Sequence, residues 1–291
     1  NTDYLSESEY GSYSTLFPDM SVWNNSAYLQ AQVQPAKHLF TTSGIRYDNH
    51  EKFGSIFTYR AAAAYFLNPT NTKLKATFGT GFKAPSLYYL YDPAFGNPEL
   101  EPEKNIGWDA GFQQFFFKKE LSFEVVYFQN SYQDIFGFDE NFRTINIDKV
   151  ETHGIETELK LLNLNKFSIS SSYTYTVSKD KSEGSEDKGL QLLRRPKHKG
   201  VLSIDYNNQK LFTGLDVRYI GERDDKDFSF FPFKRVNLSD YVLLDINSSY
   251  KLNDNFEIFG KVNNLFDRDY EEVLFYGTLG RAFYFGLNIN Y

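Results

Sequence analysis

The sequence predicts an all-β fold, a transmembrane antiparallel β-barrel, from three observations. Apolar residues recur at every second position along most of the chain, which is the period of a strand with one apolar face. Aromatic residues make up 18% of the chain, with 29 Phe and 22 Tyr, and membrane barrels place aromatic girdles at both interfaces. The connections between alternating segments are short and long in turn, which is typical of outer-membrane barrels.

Each alternating segment is predicted to be one strand, which gives about thirteen strands. The first carries Leu29 and Val33 on its apolar side, and a later one sets Leu202 and Ile204 against Ser203. In chain order the segments are 27–33, 39–47, 57–65, 74–78, 108–112, 121–127, 155–161, 167–175, 202–206, 211–219, 242–250, 256–262 and 283–291. A soluble β-sandwich or propeller is the alternative, but its strands are shorter and its apolar rows are hidden.

The connections give the barrel its two ends. The short ones are rich in Asn, Pro, Asp and Lys, as tight turns are, and lie at 34–38, 68–71, 117–120, 163–166, 207–209 and 251–254. The long ones are expected as outer loops at 48–54, 82–103, 132–149, 178–196, 221–238 and 265–281. Residues 1–20 are expected to form an outer loop or the end of a preceding strand.

The last segment alternates up to the terminal residue. Its apolar row is Phe283, Phe285, Leu287, Ile289 and Tyr291. A final strand of this kind would close a barrel by pairing with the first strand, which removes both open edges. An odd number of strands cannot close with both termini on one side, so at least one strand is expected ahead of Asn1.

Composition argues against several function classes. The formal charge of −7 argues against a nucleic-acid partner, and the absence of cysteine excludes disulfides and thiolate sites. The four histidines lie in different hairpins, so no catalytic site is expected and the chain is predicted not to be an enzyme. Asp224, Asp225 and Asp227 could together chelate calcium, but a solvated loop is the preferred interpretation, and neither a metal nor a cofactor is expected.

Two long segments resemble TonB-dependent outer-membrane receptors. They are GFKAPSLYYLYDPAFGNPELEPEKNIGWDAGF (81–112) and KVNNLFDRDYEEVLFYGTLGRAFYFGLNINY (261–291). More narrowly, LLRRPKH (192–198) and YIGERDDKDFSFFPFKRV (219–236) resemble the vitamin B12 receptor branch. The resemblance implies a barrel of 22 strands behind an N-terminal plug domain. Residues 1–291 would then be the C-terminal portion of the barrel, without the plug. The ending from Phe283 to Tyr291 resembles the signal read by the barrel-assembly machinery.

The resemblance also implies a function and partners. Such receptors sit in the outer membrane of Gram-negative bacteria and bind a large, scarce nutrient, here cobalamin or another corrinoid. TonB supplies the energy for import by acting on the plug. A ferric siderophore or haem receptor of the same family is the alternative, although no histidine lies between Phe82 and Leu100 to ligate haem iron. A passive porin is the second alternative. Outer-membrane lipid and lipopolysaccharide are expected to contact the loop bases.

Candidate ligand contacts lie in the predicted outer loops. The resemblance matches Arg194 with a position that contacts cobalamin, whereas the strand period would place Arg195 on the inner face and Arg194 on the outer one. Calcium, if the family uses it, would belong to the earlier part of the barrel. The complete set of predicted ligand-binding residues is Tyr88, Tyr89, Tyr91, Asp139, Arg143, Arg194, Arg195, Asp224, Asp225 and Lys226.

Overall fold

The computed structural model describes residues 2–5, 19–139 and 143–289. Its strands are β1 (Thr2–Leu5), β2 (Met20–Ala36), β3 (Leu39–His50), β4 (Gly54–Leu67), β5 (Thr72–Lys83), β6 (Glu103–Phe116), β7 (Leu121–Phe138), β8 (Thr144–Leu164), β9 (Phe167–Asp180), β10 (His198–Asn207), β11 (Leu211–Ile220), β12 (Arg223–Asp227), β13 (Lys234–Leu238), β14 (Tyr241–Lys251), β15 (Phe256–Asn263) and β16 (Ala282–Ile289). One short helix, α1 (Leu87–Tyr91), and two 3₁₀ turns, Asn68–Thr70 and Phe117–Lys119, complete the described elements.

Fourteen of the strands form a single antiparallel sheet in which each strand pairs with the next one along the chain. The order is interrupted only where β11 pairs with β14, because β12 and β13 form a separate two-stranded hairpin between them. The all-β fold and the thirteen expected strands are thereby confirmed, with β1 as an additional strand of the sheet and β12 and β13 as two further strands inside the expected loop at 221–238. Within the described residues the sheet is open, since the recorded pairing of β1 is with β2 and that of β16 is with β15.

The sheet has one apolar face that is continuous from strand to strand. Leu202 lies opposite Val217, which lies opposite Leu244, and the same face carries Leu29 on β2 and Phe285 on β16. Leu29 is 73% exposed and Phe285 is 82% exposed, although a water-soluble sheet would bury such side chains. These exposures, repeated over the whole face, are what a lipid-facing surface requires.

The opposite, polar face is held together by side-chain hydrogen bonds and ion pairs. Ser203 Oγ donates to Asp216 Oδ1 at 2.5 Å, and Lys75 Nζ lies 2.6 Å from Glu124 Oε1. The predicted outward direction of Leu202 and Ile204 and the inward direction of Ser203 agree with this division. The polar face therefore corresponds to the inside of a barrel wall. Among the described residues no helix has the length and hydropathy needed to cross a bilayer.

All six short turns lie where the sequence predicts them, but the predicted extent of two long loops was wrong. The expected loop at 48–54 is a three-residue turn at 51–53. The expected loop at 132–149 is mostly strand, since β7 and β8 stay paired as far as Phe138 and Thr144. The polar residues of this segment obscured the strand period, but a hairpin that extends beyond the bilayer into water has no need of one apolar face. Tyr291 and residues 6–18 of the expected leading segment lie outside the described residues.

Candidate functional site

The long connections all lie at one end of the sheet, and their side chains form two clusters. The tyrosine cluster comprises Tyr88, Tyr89, Tyr91, Phe136 and Phe138. The ion-pair cluster comprises Asp187, Arg194, Asp224, Asp225, Lys226 and Arg235. Every predicted ligand-binding residue belongs to one of these clusters or lies beside it.

The helix α1 presents the three predicted tyrosines. Ser86 caps its N-terminus, because its Oγ accepts a hydrogen bond from the Tyr89 amide at 3.1 Å. Leu87 and Leu90 are buried beneath the helix and anchor it, whereas Tyr88 remains 43% exposed. Partial burial, together with the charge of Asp92 and the hydrogen bond between its carboxylate and the phenol, raises the pKa of Tyr88.

The loop that carries α1 is fixed against the extended β7–β8 hairpin. Asn97 Nδ2 donates to the carbonyl oxygen of Thr144 at 3.0 Å, and the Thr144 amide donates to the carbonyl oxygen of Phe95 at 2.8 Å. At the hairpin end, the Arg143 amide donates to Asp139 Oδ1 at 2.9 Å, and the Arg143 guanidinium reaches Asn97 Oδ1 at 3.4 Å. Asp139 and Arg143 thus lie at the hairpin end, beside the loop that carries the tyrosines, and their contact with a ligand stays a prediction.

Cations border the aromatic rings of the tyrosine cluster. The Tyr89 ring meets Phe136 and Phe138 edge-on, with ring centroids 5.5 Å and 6.2 Å apart. Lys83 Nζ lies 5.0 Å from the centre of the Phe136 ring, and Lys52 Nζ lies 5.6 Å from that of Tyr91. Lys83 Nζ also lies 3.4 Å from Glu103 Oε2, but an ion pair with so exposed a lysine contributes little. Rings beside ammonium groups form a surface that suits a ligand both aromatic and anionic.

The ion-pair cluster is built around the Asp225 carboxylate, which has no solvent exposure. Its Oδ1 accepts from Arg194 Nε at 2.9 Å and from the Lys226 amide at 2.8 Å, and its Oδ2 accepts from the Leu274 amide at 2.9 Å. Burial alone would raise the pKa of Asp225, but these hydrogen bonds outweigh burial and hold the pKa below its ordinary value. Asp225 is therefore a charged structural residue inside the loops.

Arg235 extends the cluster to further loops. Its guanidinium lies 2.7 Å from Asp224 Oδ2 and 3.2 Å from Asp187 Oδ1, and it also donates to the Gln191 carbonyl oxygen. Lys226 Nζ lies 2.8 Å from Asp187 Oδ2. The cluster thereby joins the β9–β10 loop, the β12–β13 hairpin and the loop between β15 and β16.

The two predicted arginines take different positions. Arg194 lies in a turn with a positive φ of 58°, its amide donates to the Asp224 carbonyl oxygen at 2.7 Å and its side chain is committed to Asp225. Arg195 is exposed, and its side chain makes no hydrogen bond or ion pair with the described residues. Because β10 begins only at His198, the inside–outside rule for strands does not apply to either residue. Their contact with a ligand stays a prediction.

Sequence reasoning did not identify several residues of these clusters. Lys52, Lys83 and Phe136 border the tyrosine cluster, and Asp187 and Arg235 complete the ion-pair cluster. The alternation of Phe136 and Phe138 was the one available signal, and it was hidden in a segment taken for a loop. Within the described ranges, no group of three or more His, Cys, Asp or Glu side chains is arranged to hold a metal ion.

Comparison with known proteins identifies the architecture. The family model described as "TonB dependent receptor-like, beta-barrel" matches residues 1–265. The siderophore receptor PirA from Acinetobacter baumannii has a similar structure, with a TM-score of 0.78 and 21% identity over 93% of this chain and 46% of that one. A mutant of the ferric enterobactin receptor PfeA from Pseudomonas aeruginosa gives a TM-score of 0.78 and 20% identity over 93% of this chain and 45% of that one.

The copper transporter OprC is also similar, with a TM-score of 0.75 and 18% identity over 94% of this chain and 49% of that one. This chain therefore spans about half the length of the solved structures it matches. At these identities the structural similarity establishes the fold. The family model supports the family that the sequence predicted but not its vitamin B12 branch, and the family consists of transport receptors rather than enzymes. The chain belongs to the TonB-dependent receptor family and forms part of the receptor's β-barrel.

Proposed function

We propose that this chain is part of an outer-membrane receptor that binds a ferric siderophore and imports it with energy supplied through TonB. The tyrosine cluster is the observation that carries the proposal. It places aromatic rings and ammonium groups together at the long-loop end of the wall. The similarity to siderophore receptors supports the same ligand class.

The chemistry of a ferric catecholate fits this surface. Such a chelate combines aromatic rings with a net negative charge and exposed oxygen atoms. Its rings can pack on Tyr89 and Phe138, and its negatively charged oxygens can accept hydrogen bonds from Lys83 and Arg143. No covalent chemistry is required, because a receptor only has to bind the chelate and release it.

The corrinoid interpretation now has less support. It depended on Arg194 and on the acidic residues of the β12–β13 hairpin as hydrogen-bonding groups for the ligand. In the structure Arg194, Asp224 and Asp225 satisfy one another and their neighbours. Arg194 gives its Nε–H to Asp225 and Asp224 pairs with Arg235, so fewer of their groups are left for a ligand than the corrinoid interpretation assumed. We therefore place the ferric chelate first.

The test compares two lysines of β5 that share the polar face but lie at opposite ends of the strand. In the intact receptor, Lys83→Gln should weaken binding of an iron-loaded catecholate siderophore about tenfold to a hundredfold, the cost of one charged contact. Lys73→Gln, at the short-turn end, should leave binding unchanged. Uptake of ⁵⁵Fe from the same chelate should cease in cells that lack TonB.

Two results would count against the proposal. Equal effects of the two lysine substitutions would remove the tyrosine cluster from the site. Tight binding of cyanocobalamin together with no binding of the iron-loaded catecholate would restore the corrinoid as the ligand.

A further inference from the structure

The wall contains a slot where two neighbouring strands part. The pairing of β4 with β5 ends at Arg60 opposite Gly79, although both strands run on towards the long loops. At the point of parting, Thr80 Oγ1 accepts a hydrogen bond from the Tyr59 amide at 3.1 Å in place of a ladder bond. In the described parts of the chain, the facing edges of the two strands are not paired with each other beyond this point. The backbone groups of these edges can therefore bind an amide of a ligand.

Side chains from both faces of the wall line the slot, which has a volume of about 410 Å³. Its large apolar lining residues are Phe57, Tyr59, Phe82 and Ile106. They belong to the apolar face, because residues two apart along a strand share a face and Tyr59 lies opposite Ile45. Thr58 and Asn105, each next to one of them in the chain, line the slot from the polar face. The slot is therefore apolar towards the lipid and polar towards the inside of the barrel wall.

The upper end of the slot, towards the long loops, lies next to the tyrosine cluster. Lys83 is the last residue of β5, and its Nζ lies 5.0 Å from the centre of the Phe136 ring. Lys52 lies in the turn that leads into β4, and its Nζ lies 5.6 Å from the centre of the Tyr91 ring. Lys52 Nζ also donates to the carbonyl oxygen of Pro98, in the loop that carries α1. The two lysines that border the tyrosine cluster thus stand at the ends of the two strands that frame the slot.

An apolar slot that adjoins a cationic and aromatic surface suits an amphiphilic ligand. A catecholate head by itself would occupy the tyrosine cluster and leave the slot unused. A hydrocarbon chain attached to the head would contact Phe57, Phe82 and Ile106. Each methylene group that this chain removes from water strengthens binding about fourfold. The amide that joins such a chain to the head can hydrogen-bond with the unpaired edge of β4, which a bare hydrocarbon could not do.

We propose that the ligand is an N-acylated ferric siderophore whose chain lies in the slot between β4 and β5 while its iron-binding head lies on the tyrosine cluster. The chain runs from the inside of the wall towards the lipid, between the side chains of Phe57, Phe82 and Ile106. This inference rests on the proposed function, because it requires the chelate at the tyrosine cluster. It narrows the ligand from a ferric catecholate in general to an amphiphilic one.

The test compares two iron-loaded catecholates that share one head, the first with an N-octanoyl chain and the second with an N-acetyl group. Binding of each to the intact receptor in detergent is measured with ⁵⁵Fe. The octanoyl compound should bind at least about tenfold more tightly, a gain that burial of about two methylene groups already supplies. Ile106→Trp should fill the slot and abolish this difference, with binding of the acetyl compound unchanged. The matched control is Ile155→Trp, on the same apolar face but away from the slot, which should preserve the difference.

A second measurement needs no variant. A photoreactive diazirine at the end of the octanoyl chain should label peptides that contain Phe57, Phe82 or Ile106, as identified by mass spectrometry of the native receptor. Heat-shifted electrophoretic mobility verifies that each tryptophan variant is folded.

The outcomes separate this inference from the proposed function. Equal binding of the two catecholates by the native receptor, label found only in other peptides, or the same change in both tryptophan variants would overturn the inference and leave the siderophore proposal standing. Failure of both catecholates to bind the native receptor would overturn the proposed function, and the inference with it.

Discussion

The buried carboxylate of Asp225 should determine how tightly the outer loops are held together. In the variant Asp225→Asn, one oxygen can still accept from Arg194 and from the Lys226 amide, but the new amide group faces the Leu274 N–H, donor against donor. Loss of the Leu274 hydrogen bond in a buried position costs about 1 to 3 kcal/mol. Loss of the charge interaction adds about 1 kcal/mol, because the Arg194 side chain is 43% exposed. The free energy needed to open the loops should therefore be about 2 to 4 kcal/mol lower in the variant than in the native protein.

Hydrogen exchange measured by mass spectrometry on the folded receptor tests this magnitude. A loss of 2 to 4 kcal/mol corresponds to exchange about 30-fold to 1,000-fold faster in peptides that contain Leu274, with no change in the strands. Asp227→Asn is the control, because Asp227 is only partly buried and accepts one amide hydrogen bond, from Ser229 at 2.8 Å. The reasoning fails if Leu274 exchanges at the same rate in the Asp225 variant, or if the two variants behave alike.

Three further predictions concern the wall and the β9–β10 loop. Ile204→Arg on the apolar face should lower the folding stability in lipid by about 2 to 4 kcal/mol if the residue lies near the bilayer midplane. Ser203→Arg, on the polar face, should lower it far less. Equal losses in a vesicle refolding titration would refute the assigned faces. Gly154→Ala should lower the free energy of unfolding by about 1 to 3 kcal/mol, because the new Cβ would lie 2.0 Å from a carbonyl oxygen of the neighbouring strand. In the control Gly200→Ala, the new Cβ would meet nothing closer than 3.8 Å. Denaturant titration compares the two variants, and similar midpoints would contradict the packing argument. Burial would raise the pKa of Asp180, but hydrogen bonds from serine residues hold this pKa below its ordinary value of about 4. The stabilisation that Asp180 provides is therefore present above that value and is lost as the pH falls through the lowered pKa. Hydrogen exchange in the β9–β10 loop should accelerate below pH 4, and a rate that substitution of Asp180 leaves unchanged there would exclude this cause.

The wall was predictable from sequence because lipid strongly favours apolar side chains on one face of it. Leu202, Val217 and Leu244 could therefore be assigned to one face without knowledge of their partners. This preference ends where the strands leave the bilayer. For that reason the β7–β8 hairpin beyond residue 132, with Phe136 and Phe138, was taken for a loop.

The clusters at the loop end were predictable only in part. Tyr88 and its neighbours stood out by composition, and the structure brings them together with Asp139 and Arg143. The partnership of Arg235 with Asp187 spans 48 positions along the chain and depends on how two loops meet, for which the sequence carries no periodic signal. The same applies to the buried Asp225, whose Oδ2 accepts a hydrogen bond from the Leu274 amide, 49 positions away.

The independence of the wall from its loops has an evolutionary consequence. The strands β11 and β14 pair in unbroken register from Leu211 opposite Tyr250 to Ile220 opposite Tyr241. The β12–β13 hairpin, which lies between them in the chain, does not interrupt this pairing. Insertions, deletions or exchanges of that hairpin therefore leave the pairing of the barrel strands intact. Changes of sequence and length can therefore accumulate in this hairpin while the register of the strands beneath it is inherited unchanged.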